Sequence, residues 1–526
     1  MKCKLPIFLL LGLLALSSSA WAEVKPNPLF TDGAVLQQGI EVPVWGTAND
    51  GEKVTVTFDG QNASTVAKDG RWMVRLKPHK AGGPFSLAIA GENTVTANNV
   101  LVGEVWVCSG QSNMAFSFSG ADTAATEAPK ADYPKLRMFT VPNKTAVEPM
   151  AEAAGSWVEC TPENVKRFSA VGYFFGRDIH KATGLPVGMI HTSWGGTPAQ
   201  AWTSLGGLEK DPELAGYVTS IKALVAAYPE AKAKYPQAME ECQAKLKIWN
   251  EECGNAYNET LKAWAEANKK AKAEGRPETP KPQPAKPKPN PPALPEGGPG
   301  TPTVLYNAMV APLLPYAIKG AIWYQGESNA GKSKEYQTLF PRMIADWREK
   351  WGVGEFPFLF VQIAPFNGQP PEIREAQLLT LKKVPNTGMA VTTDVGSATD
   401  IHPKQKEPVG ARLALAARAL AYGEKIEYSG PIFEGLKIEG ARALVSFKHV
   451  GGGLVAKDGK LKGFTIAGAD KKFVPAKAEI KADTVVVSSP DVAAPVAVRY
   501  GWANVPDVNL FNKEGLPASP FRTDVE

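Results

Sequence analysis

The chain has 526 residues, of which 44% are hydrophobic and 21% are charged. This length allows about three domains of ~150 residues each, with a large apolar core. The formal net charge of +5 is small for a chain of this length, which argues against nucleic acid as a partner.

The first 22 residues have the pattern of a secretory signal peptide. Lys2 and Lys4 precede an apolar run over residues 5–16, and Ala20-Trp21-Ala22 is a small-x-small cleavage site. The apolar run is shorter than the ~20 residues that a membrane-spanning helix needs. We therefore expect cleavage near Ala22, export to the periplasm or beyond, and no membrane attachment after cleavage.

Four cysteines follow the predicted signal peptide: Cys108, Cys160, Cys242 and Cys253. Four in so long a chain do not make a disulfide framework, although export permits one or two bridges, whose pairing the sequence leaves open. On one continuous helix, Cys242 and Cys253 would be separated by about 16 Å of rise, too far to bridge. No Cys-x-x-Cys or His-x-x-x-His spacing occurs, so neither a metal nor another cofactor is predicted.

The residues after the signal peptide divide into three parts. Short β-rich runs separated by Gly, Asp and Asn predict an N-terminal β-domain over 23–100. From 101 to 423, apolar strands alternate with helices, which predicts an α/β domain with a parallel sheet covered on both faces. Its strands are expected in "LVGEVWVC", "PVGMIHTSW", "AIKGAIWYQ", "FPFLFVQIA" and "TGMAVTTDV". Strand patterns return over 424–526 and predict a C-terminal β-sandwich.

An insertion over residues 207–300 interrupts the α/β pattern. Residues 207–275 are rich in Ala, Lys and Glu at helical spacing, and a Pro/Lys-rich tract follows. Such a tract is expected to be extended and mobile. The simpler interpretation is an exposed helical arm with a return strand; the alternative is a surface for polyanionic glycans or for a protein partner.

Polar corners follow four of the predicted strands: "SGQSNM", "TSWGGTPAQAW", "YQGESNAG" and "DVGSATDIHPKQK". In an open α/β sheet, ligands bind beyond the carboxyl ends of the strands, so we expect these corners to converge. They carry a hydroxyl, an imidazole, carboxylates, amides and paired glycines, which are the parts of a Ser–His–acid site with an oxyanion hole. A serine in such a corner often satisfies only its own turn, so the prediction depends on the four corners together.

These corners carry a resemblance to a known family. "GQSNM", "SWGGTPAQAW", "LYNAMVAPLLPYAIKGAIWYQGESNA" and "DIHPKQKEPVGARLALAA" resemble the sialate O-acetylesterase family of SGNH hydrolases, relatives of acetylxylan esterases. The likeness covers roughly 90–423 without the insertion. It implies an SGNH/flavodoxin-like three-layer domain between two β-sandwiches, and hydrolysis of acetyl esters on sugars without a cofactor. An acetylated carbohydrate is the only partner implied.

The resemblance also implies roles for single residues. Ser112 matches the nucleophile and His402 the general base. The oxyanion hole would be formed by the Ser112 backbone N–H, a glycine of Gly195–Gly196 and a side-chain amide. Gln325 is the first candidate for that amide and Asn329 is the second.

The sequence leaves open which carboxylate is the acid of the triad. The superfamily's last block is usually Asp-x-x-His, whereas this chain has Asp400-Ile401-His402, one residue shorter. We expect Asp400 to orient His402, with Glu327 of the third corner as the alternative. The ordinary nucleophile elbow Gly-x-Ser-x-Gly is absent, because position 114 is Met.

Aromatic side chains near the corners are candidates for stacking on sugar rings: Trp194, Trp202, Tyr324 and Phe366. Arg374 is a candidate partner for the carboxylate of an acidic sugar, with a salt bridge on the helix surface as the simpler role. Two other functions fit parts of the pattern. A glycoside hydrolase would use Asp400 and Glu327 as its carboxylate pair, and a carbohydrate-binding protein would need no catalysis.

Overall fold

The computed structural model describes residues 23–524, so the predicted signal peptide lies outside the described residues. The N-terminal part consists of short strands and one long one. They are β1 (Lys25–Pro26), β2 (Val35–Gln37), β3 (Val42–Thr47), β4 (Lys53–Phe58), β5 (Gln61–Val66), β6 (Arg71–Leu76), β7 (Gly82–Ala90) and β8 (Thr94–Gly110).

Strands and helices alternate in the central part. The strands are β9 (Tyr133–Thr140), β10 (Trp157–Cys160), β11 (Val187–Ser193), β12 (Gly320–Tyr324), β13 (Phe358–Val361) and β14 (Thr387–Ala390). The helices are α1 (Ser112–Ala115), α2 (Ala124–Glu127), α3 (Ala170–Thr183), α4 (Leu205–Leu208), α5 (Ala215–Trp249), α6 (Asn255–Ala273), α7 (Ser333–Trp351), α8 (Pro371–Lys383) and α9 (Glu407–Leu420).

The C-terminal part contains only strands and loops. Its strands are β15 (Ile432–Glu439), β16 (Arg442–Lys448), β17 (Leu454–Ala456), β18 (Phe464–Ala467), β19 (Val474–Pro475), β20 (Lys477–Lys481), β21 (Thr484–Ser488), β22 (Ala497–Tyr500), β23 (Leu510–Asn512) and β24 (Phe521–Arg522). They form three antiparallel sheets, in the orders β15-β16-β21-β20, β17-β23 and β19-β18-β22-β24.

The central sheet has the order β10-β9-β11-β8-β12-β13-β14. Every neighbouring pair is parallel except β10 with β9. The strands β11 to β14 are buried along their whole length, as expected where helices cover a parallel sheet. The five strands expected from the sequence are present; β9 and β10 extend the sheet beyond them. The protein is therefore a mixed α/β fold with additional β-sheets.

Strand β8 joins the N-terminal part to the central sheet. Its first half pairs with β7 and β2, and its second half pairs with β11 and β12. The boundary predicted at residue 100 therefore falls inside one continuous strand. Two central side chains also bond the N-terminal part, since Tyr316 Oη donates to the Val35 carbonyl (2.8 Å) and Trp157 Nε1 to the Leu29 carbonyl (3.0 Å).

The amphipathic pattern of "NVKRFSAVGYFFGRDIHKATG" predicts a helix from residue 164 that ends at Gly184, but the helix begins later, at α3. Residues 164–167 form a 3₁₀ turn, and the Ser169 side chain then accepts a hydrogen bond from the Gly172 N–H (3.0 Å). Serine is a favoured N-cap because its hydroxyl satisfies an otherwise unpaired N–H of the first turn. The helix stops at Gly184, as expected, where the backbone turns left-handed with φ +69°.

The insertion is a long helical arm with its return segment docked on it. Helices α5 and α6 are joined by a π-helical turn at Asn250–Gly254. Trp264 Nε1, Tyr257 Oη and Trp249 Nε1 donate to the carbonyls of Thr279 (3.0 Å), Pro282 (3.0 Å) and Lys286 (2.8 Å) in turn. The Pro/Lys tract is therefore extended, as predicted, but it lies along the helix because a row of donors holds its carbonyls.

All four described cysteines are free thiols. Cys108 and Cys160 are buried, and Cys242 and Cys253 lie on the same helical arm without the hairpin that a bridge between them would require. Within residues 23–524, no helix has a stretch long and apolar enough to cross a bilayer.

The shared strand predicts how the chain responds to truncation. A fragment that begins at residue 101 lacks β2, β7 and half of β8. It exposes the apolar rings of Tyr316 and Trp157 to water and removes the carbonyls to which they donate. We expect it to be insoluble or to unfold at a clearly lower temperature than a chain that begins at residue 23. Calorimetry of the two chains checks this; equal midpoints would show that the central part folds alone.

Candidate active site

The corner after β8 depends on glycine. Gly110, the last residue of β8, has φ +136°, and a Cβ atom there would lie 2.2 Å from the Tyr324 carbonyl oxygen on β12. No other residue fits so close to a neighbouring backbone in this conformation. The chain then turns into α1, whose first residue is the partly exposed Ser112.

The structure brings Ser112 and His402 together. His402 lies on the loop between β14 and α9, and its Nε2 is 2.8 Å from Ser112 Oγ. This is the distance of a hydrogen bond, and in that bond the neutral imidazole can accept the serine proton. Both side chains are partly exposed, so a substrate can reach them. The two residues are 290 positions apart in the chain.

Asp400 is the carboxylate beside the imidazole. Its Oδ1 accepts the His402 backbone N–H at 2.8 Å and lies 4.0 Å from His402 Nδ1. The Asp400 side chain is 54% exposed, so water screens its charge. Asp400 therefore shapes the histidine loop directly and faces the ring at the outer limit of an ion pair.

Glu327 reaches the histidine loop through Asn113. Its Oε1 accepts from Asn113 Nδ2 (2.6 Å), and the same Nδ2 donates to the Ile401 carbonyl (3.0 Å). Burial raises the pKa of Glu327, partly offset by hydrogen bonds from its own backbone and from Asn113. The two carboxylates considered from the sequence thus act at different places, Asp400 at His402 itself and Glu327 on the backbone before it.

Glycines line one side of Ser112. Gly195 is exposed, and a Cβ atom built on it would lie 3.3 Å from the Ser112 Cβ. Gly196 follows it with φ +75°. Without side chains, these residues leave their backbone open beside the serine, which is what an oxyanion hole requires.

The side-chain amides predicted for the oxyanion hole are occupied elsewhere, which corrects that prediction. Gln325 is completely buried, and its Nε2 donates to Asn329 Oδ1 (2.7 Å) and the Thr197 carbonyl (3.3 Å). Asn329 Nδ2 donates to Gln200 Oε1 (3.1 Å), and its Oδ1 also accepts from Ala199 N–H (2.9 Å). Both amides therefore brace the glycine corner from behind instead of facing Ser112.

Two of the four aromatic candidates cannot touch a sugar in this structure. Trp202 and Tyr324 have no exposed surface; Trp202 Nε1 donates to Thr197 Oγ1 (2.9 Å). Both were predicted because they lie near the strand-end corners in the chain, but their rings are buried in the core. Trp194 and Phe366 are partly exposed and remain available for stacking.

Arg374 is neither a surface residue nor free for a substrate. It is fully buried on α8, and its Nη2 donates to the carbonyls of Ala503 and Asn504, the latter at 3.3 Å. Both predicted roles, a sugar carboxylate partner and a surface salt bridge, are therefore wrong. Arg374 joins the central part to the C-terminal part.

Two residues of the site were missed in the sequence. Asn113 lies in "GQSNM" directly after Ser112, and Lys406 closes "DIHPKQK" four residues after His402. Lys406 is completely buried and its Nζ donates to Asn113 Oδ1. The only signal in the sequence was that both residues lie inside corners expected to converge; which partner Lys406 finds there is not visible in the sequence, although a buried lysine almost always needs one. Among residues 23–524, no three His, Cys, Asp or Glu side chains are grouped so that they could hold a metal ion.

Comparisons with known proteins show the family of the chain. The sequence model of the family described as "Carbohydrate esterase, sialic acid-specific acetylesterase" matches residues 102–271 and 298–419, more than half of the chain. Its match continues through the helical arm and omits most of the Pro/Lys tract.

Curated relatives and a solved structure extend the likeness to more than nine-tenths of the chain. Sialate O-acetylesterase of Rattus norvegicus is 31% identical, covering 91% of this chain and 90% of its own length; that of Homo sapiens is 30% identical, covering 91% and 88%. A crystal structure of a carbohydrate acetylesterase from Xanthomonas citri is 36% identical, with a TM-score of 0.77, covering 96% of this chain and 100% of its own.

The fold, the site and these matches define the protein as an esterase of the hydrolase class that acts on carbohydrates. Within that class, the chain belongs to the family of sialic acid-specific acetylesterases.

Gly110 offers a direct test of the corner. We expect Gly110→Ala to destabilise the protein by at least about 2 kcal/mol, through the clash with the Tyr324 carbonyl and the strained φ. Urea unfolding measures this. Gly331→Ala is the matched control, because a Cβ at Gly331 meets nothing within 4 Å; similar losses for both variants would contradict the argument.

Proposed function

We propose that the protein is an exported carbohydrate O-acetylesterase that hydrolyses acetyl esters on sugars with Ser112 as nucleophile. The observation that carries this proposal is the 2.8 Å contact between Ser112 Oγ and His402 Nε2, at the edge of the sheet where α/β folds bind ligands. Family membership supplies the bond that is broken, an acetyl ester, and the kind of molecule that carries it.

The reaction follows from the positions of these groups. His402 takes the Ser112 proton as the hydroxyl oxygen attacks the acetyl carbonyl, and the backbone N–H groups at Ser112 and Gly195 stabilise the negative oxygen of the tetrahedral intermediate. The sugar leaves as an alcohol, protonated by His402. A water molecule, deprotonated by His402, then releases acetate from the acyl-serine.

Asp400 completes the proposed triad. It is the carboxylate nearest the ring, and its hydrogen bond to the His402 backbone holds the imidazole in place. Because Asp400 is half exposed, its electrostatic contribution is smaller than that of the buried aspartate in a serine protease.

The finer fold and the location are part of the same proposal. The parallel order of the central sheet and the Ser–His pair at its edge support an SGNH-type domain, with the β-sheets on either side as flanking domains. The signal-peptide pattern supports export. N-terminal sequencing of the mature protein from a periplasmic fraction should find Glu23 as the first residue; an intact Met1 in that fraction would contradict cleavage.

The proposal for the sugar rests on the names of the relatives and on two partly exposed aromatic side chains. The relatives named sialate O-acetylesterase favour O-acetylated sialic acid, and acetylated xylan or pectin is the alternative. Trp194 and Phe366 are the side chains left to stack on a sugar ring. Acetate release from a panel of acetylated glycans decides among these substrates.

The central test of the proposal is Ser112→Ala. Without the hydroxyl, acetate release from p-nitrophenyl acetate and from the preferred glycan should fall by roughly 10⁴-fold or more. Ser119→Ala, an exposed serine on the same corner, is the control and should keep wild-type activity.

The same variants separate the other functions. A glycoside hydrolase would keep full activity on a glycan in Ser112→Ala and lose it in Glu327→Gln. A binding protein would release no acetate in any form. Either result would overturn the esterase proposal.

Asp400→Asn tests the choice of acid. We expect kcat to fall about 10–100-fold, less than the ~10⁴-fold loss known for a buried triad aspartate, because Asp400 is exposed. Glu327→Gln keeps an oxygen that can accept from Asn113, so it should lose less. Steady-state kinetics on the preferred substrate compares the two; a larger loss in Glu327→Gln would assign Glu327 as the acid.

A further inference from the structure

Lys406 is a buried cation that the proposed mechanism does not use. Its side chain has no exposed surface, and its Nζ lies 4.7 Å from the centroid of the Phe116 ring and 5.4 Å from that of Tyr324. Ring faces attract a cation, but they accept no full hydrogen bond. The hydrogen-bond acceptor of this ammonium is Asn113 Oδ1.

Asn113 connects three of the four corners. Its oxygen accepts from Lys406, and its Nδ2 donates to Glu327 Oε1 (2.6 Å) and to the Ile401 carbonyl (3.0 Å). A half-turn of this amide would set its oxygen against two acceptors and its nitrogen against a donor. Lys406, Glu327 and the Ile401 carbonyl therefore fix together which way the amide points, with Lys406 as the donor among them, and the amide holds the peptide between Ile401 and His402.

The charges around Lys406 are arranged as a buried pair across the amide. Burial lowers the pKa of Lys406 to about 7, while Glu327 and Asp400 oppose that change. Burial raises the pKa of Glu327, and Lys406 opposes it. Glu327 Oε2 is buried without a hydrogen bond. Each of these two buried groups thus offsets part of the cost of burying the other.

The hydrogen bonds among Lys406, Asn113 and Glu327 reach the backbone next to both members of the serine–histidine pair. Asn113 is the chain neighbour of Ser112, and Ile401 is the chain neighbour of His402. A shift of either backbone changes the distance between Ser112 Oγ and His402 Nε2. A lysine that contributed only to stability would not need contacts that reach the neighbours of both Ser112 and His402.

We propose that Lys406 is a positioning residue of this esterase, which orients the Asn113 amide and so fixes His402 at hydrogen-bonding distance from Ser112. The inference rests on the proposed function, because it concerns the same pair. It assigns to Lys406 no contact with the substrate, so its removal should affect catalysis and leave binding unchanged.

The test compares Lys406→Met with Lys404→Met. Methionine keeps the length of the buried side chain and removes the donor, while Lys404 is exposed two residues earlier. In Lys406→Met we expect kcat to fall on the order of 10–100-fold, as displacement of a catalytic group does, with KM within about twofold of wild type. Lys404→Met should match wild type in both constants.

A second measurement localises the defect. The rate at which a fluorophosphonate modifies Ser112 depends on the serine–histidine pair but not on sugar binding, so it should fall by a similar factor in Lys406→Met. If Lys406→Met does not fold, Asn113→Asp is the second variant that tests the positioning role. It has the same shape and keeps the acceptor for Lys406, but it cannot donate to Glu327 or Ile401, and the same loss of kcat is expected.

The outcomes separate this inference from the proposed function. A folded Lys406→Met, or a folded Asn113→Asp if the first does not fold, with kcat and modification rate within twofold of wild type overturns the positioning role alone. Equal increases in KM and decreases in kcat/KM would also overturn it, because they would show a loss of binding. If wild type itself releases no acetate and Ser112 is not modified, the proposed function fails.

Discussion

The site depends on one constraint, the position of β8 in the middle of the central sheet. This strand of 17 residues pairs with β2 and β7 along its first half and with β11 and β12 along its second half. Its carboxyl end is therefore held on both sides by parallel neighbours when the chain turns at Gly110. Ser112 is therefore presented from a strand end that is held on both sides, which is what a nucleophile with a fixed partner requires.

Buried amides transmit that constraint to the other corners. Gln325 and Asn329 bond each other and the backbone near Thr197 and Ala199, which supports the glycines beside Ser112. Asn113, the chain neighbour of Ser112, is similarly bonded to the histidine loop. Groups that were expected at the reaction centre thus lie one layer behind it. Buried amides hold such corners rigidly, because any movement that breaks one of their hydrogen bonds leaves a buried polar group unpaired.

The larger features of the fold were predictable because they are local. Apolar runs predicted the five strands, the helical spacing of "SKEYQTLFPRMIADWREKW" and "EPVGARLALAARALAYG" predicted α7 at residues 333–351 and α9 from 407, and Gly184 ended α3 as expected. Ser112 and His402 were also predictable, since strand ends converge in parallel sheets. The strands β9 and β10 were missed, and the boundary predicted at residue 100 falls inside β8, because composition changes there while hydrogen bonding along β8 does not.

By itself, the sequence determined the alternation of strands and helices, the polar corners at the strand ends and the family to which they belong, because these follow from periodicity and short motifs. Only the tertiary structure decided which side chains face the site. Tyr324 and Trp202 are buried and Asp400 is exposed, although all three stand near the strand-end corners in the chain. Burial depends on contacts between distant segments, and the contact of Asn113 with Lys406 across 293 positions has no local signal that spacing could show.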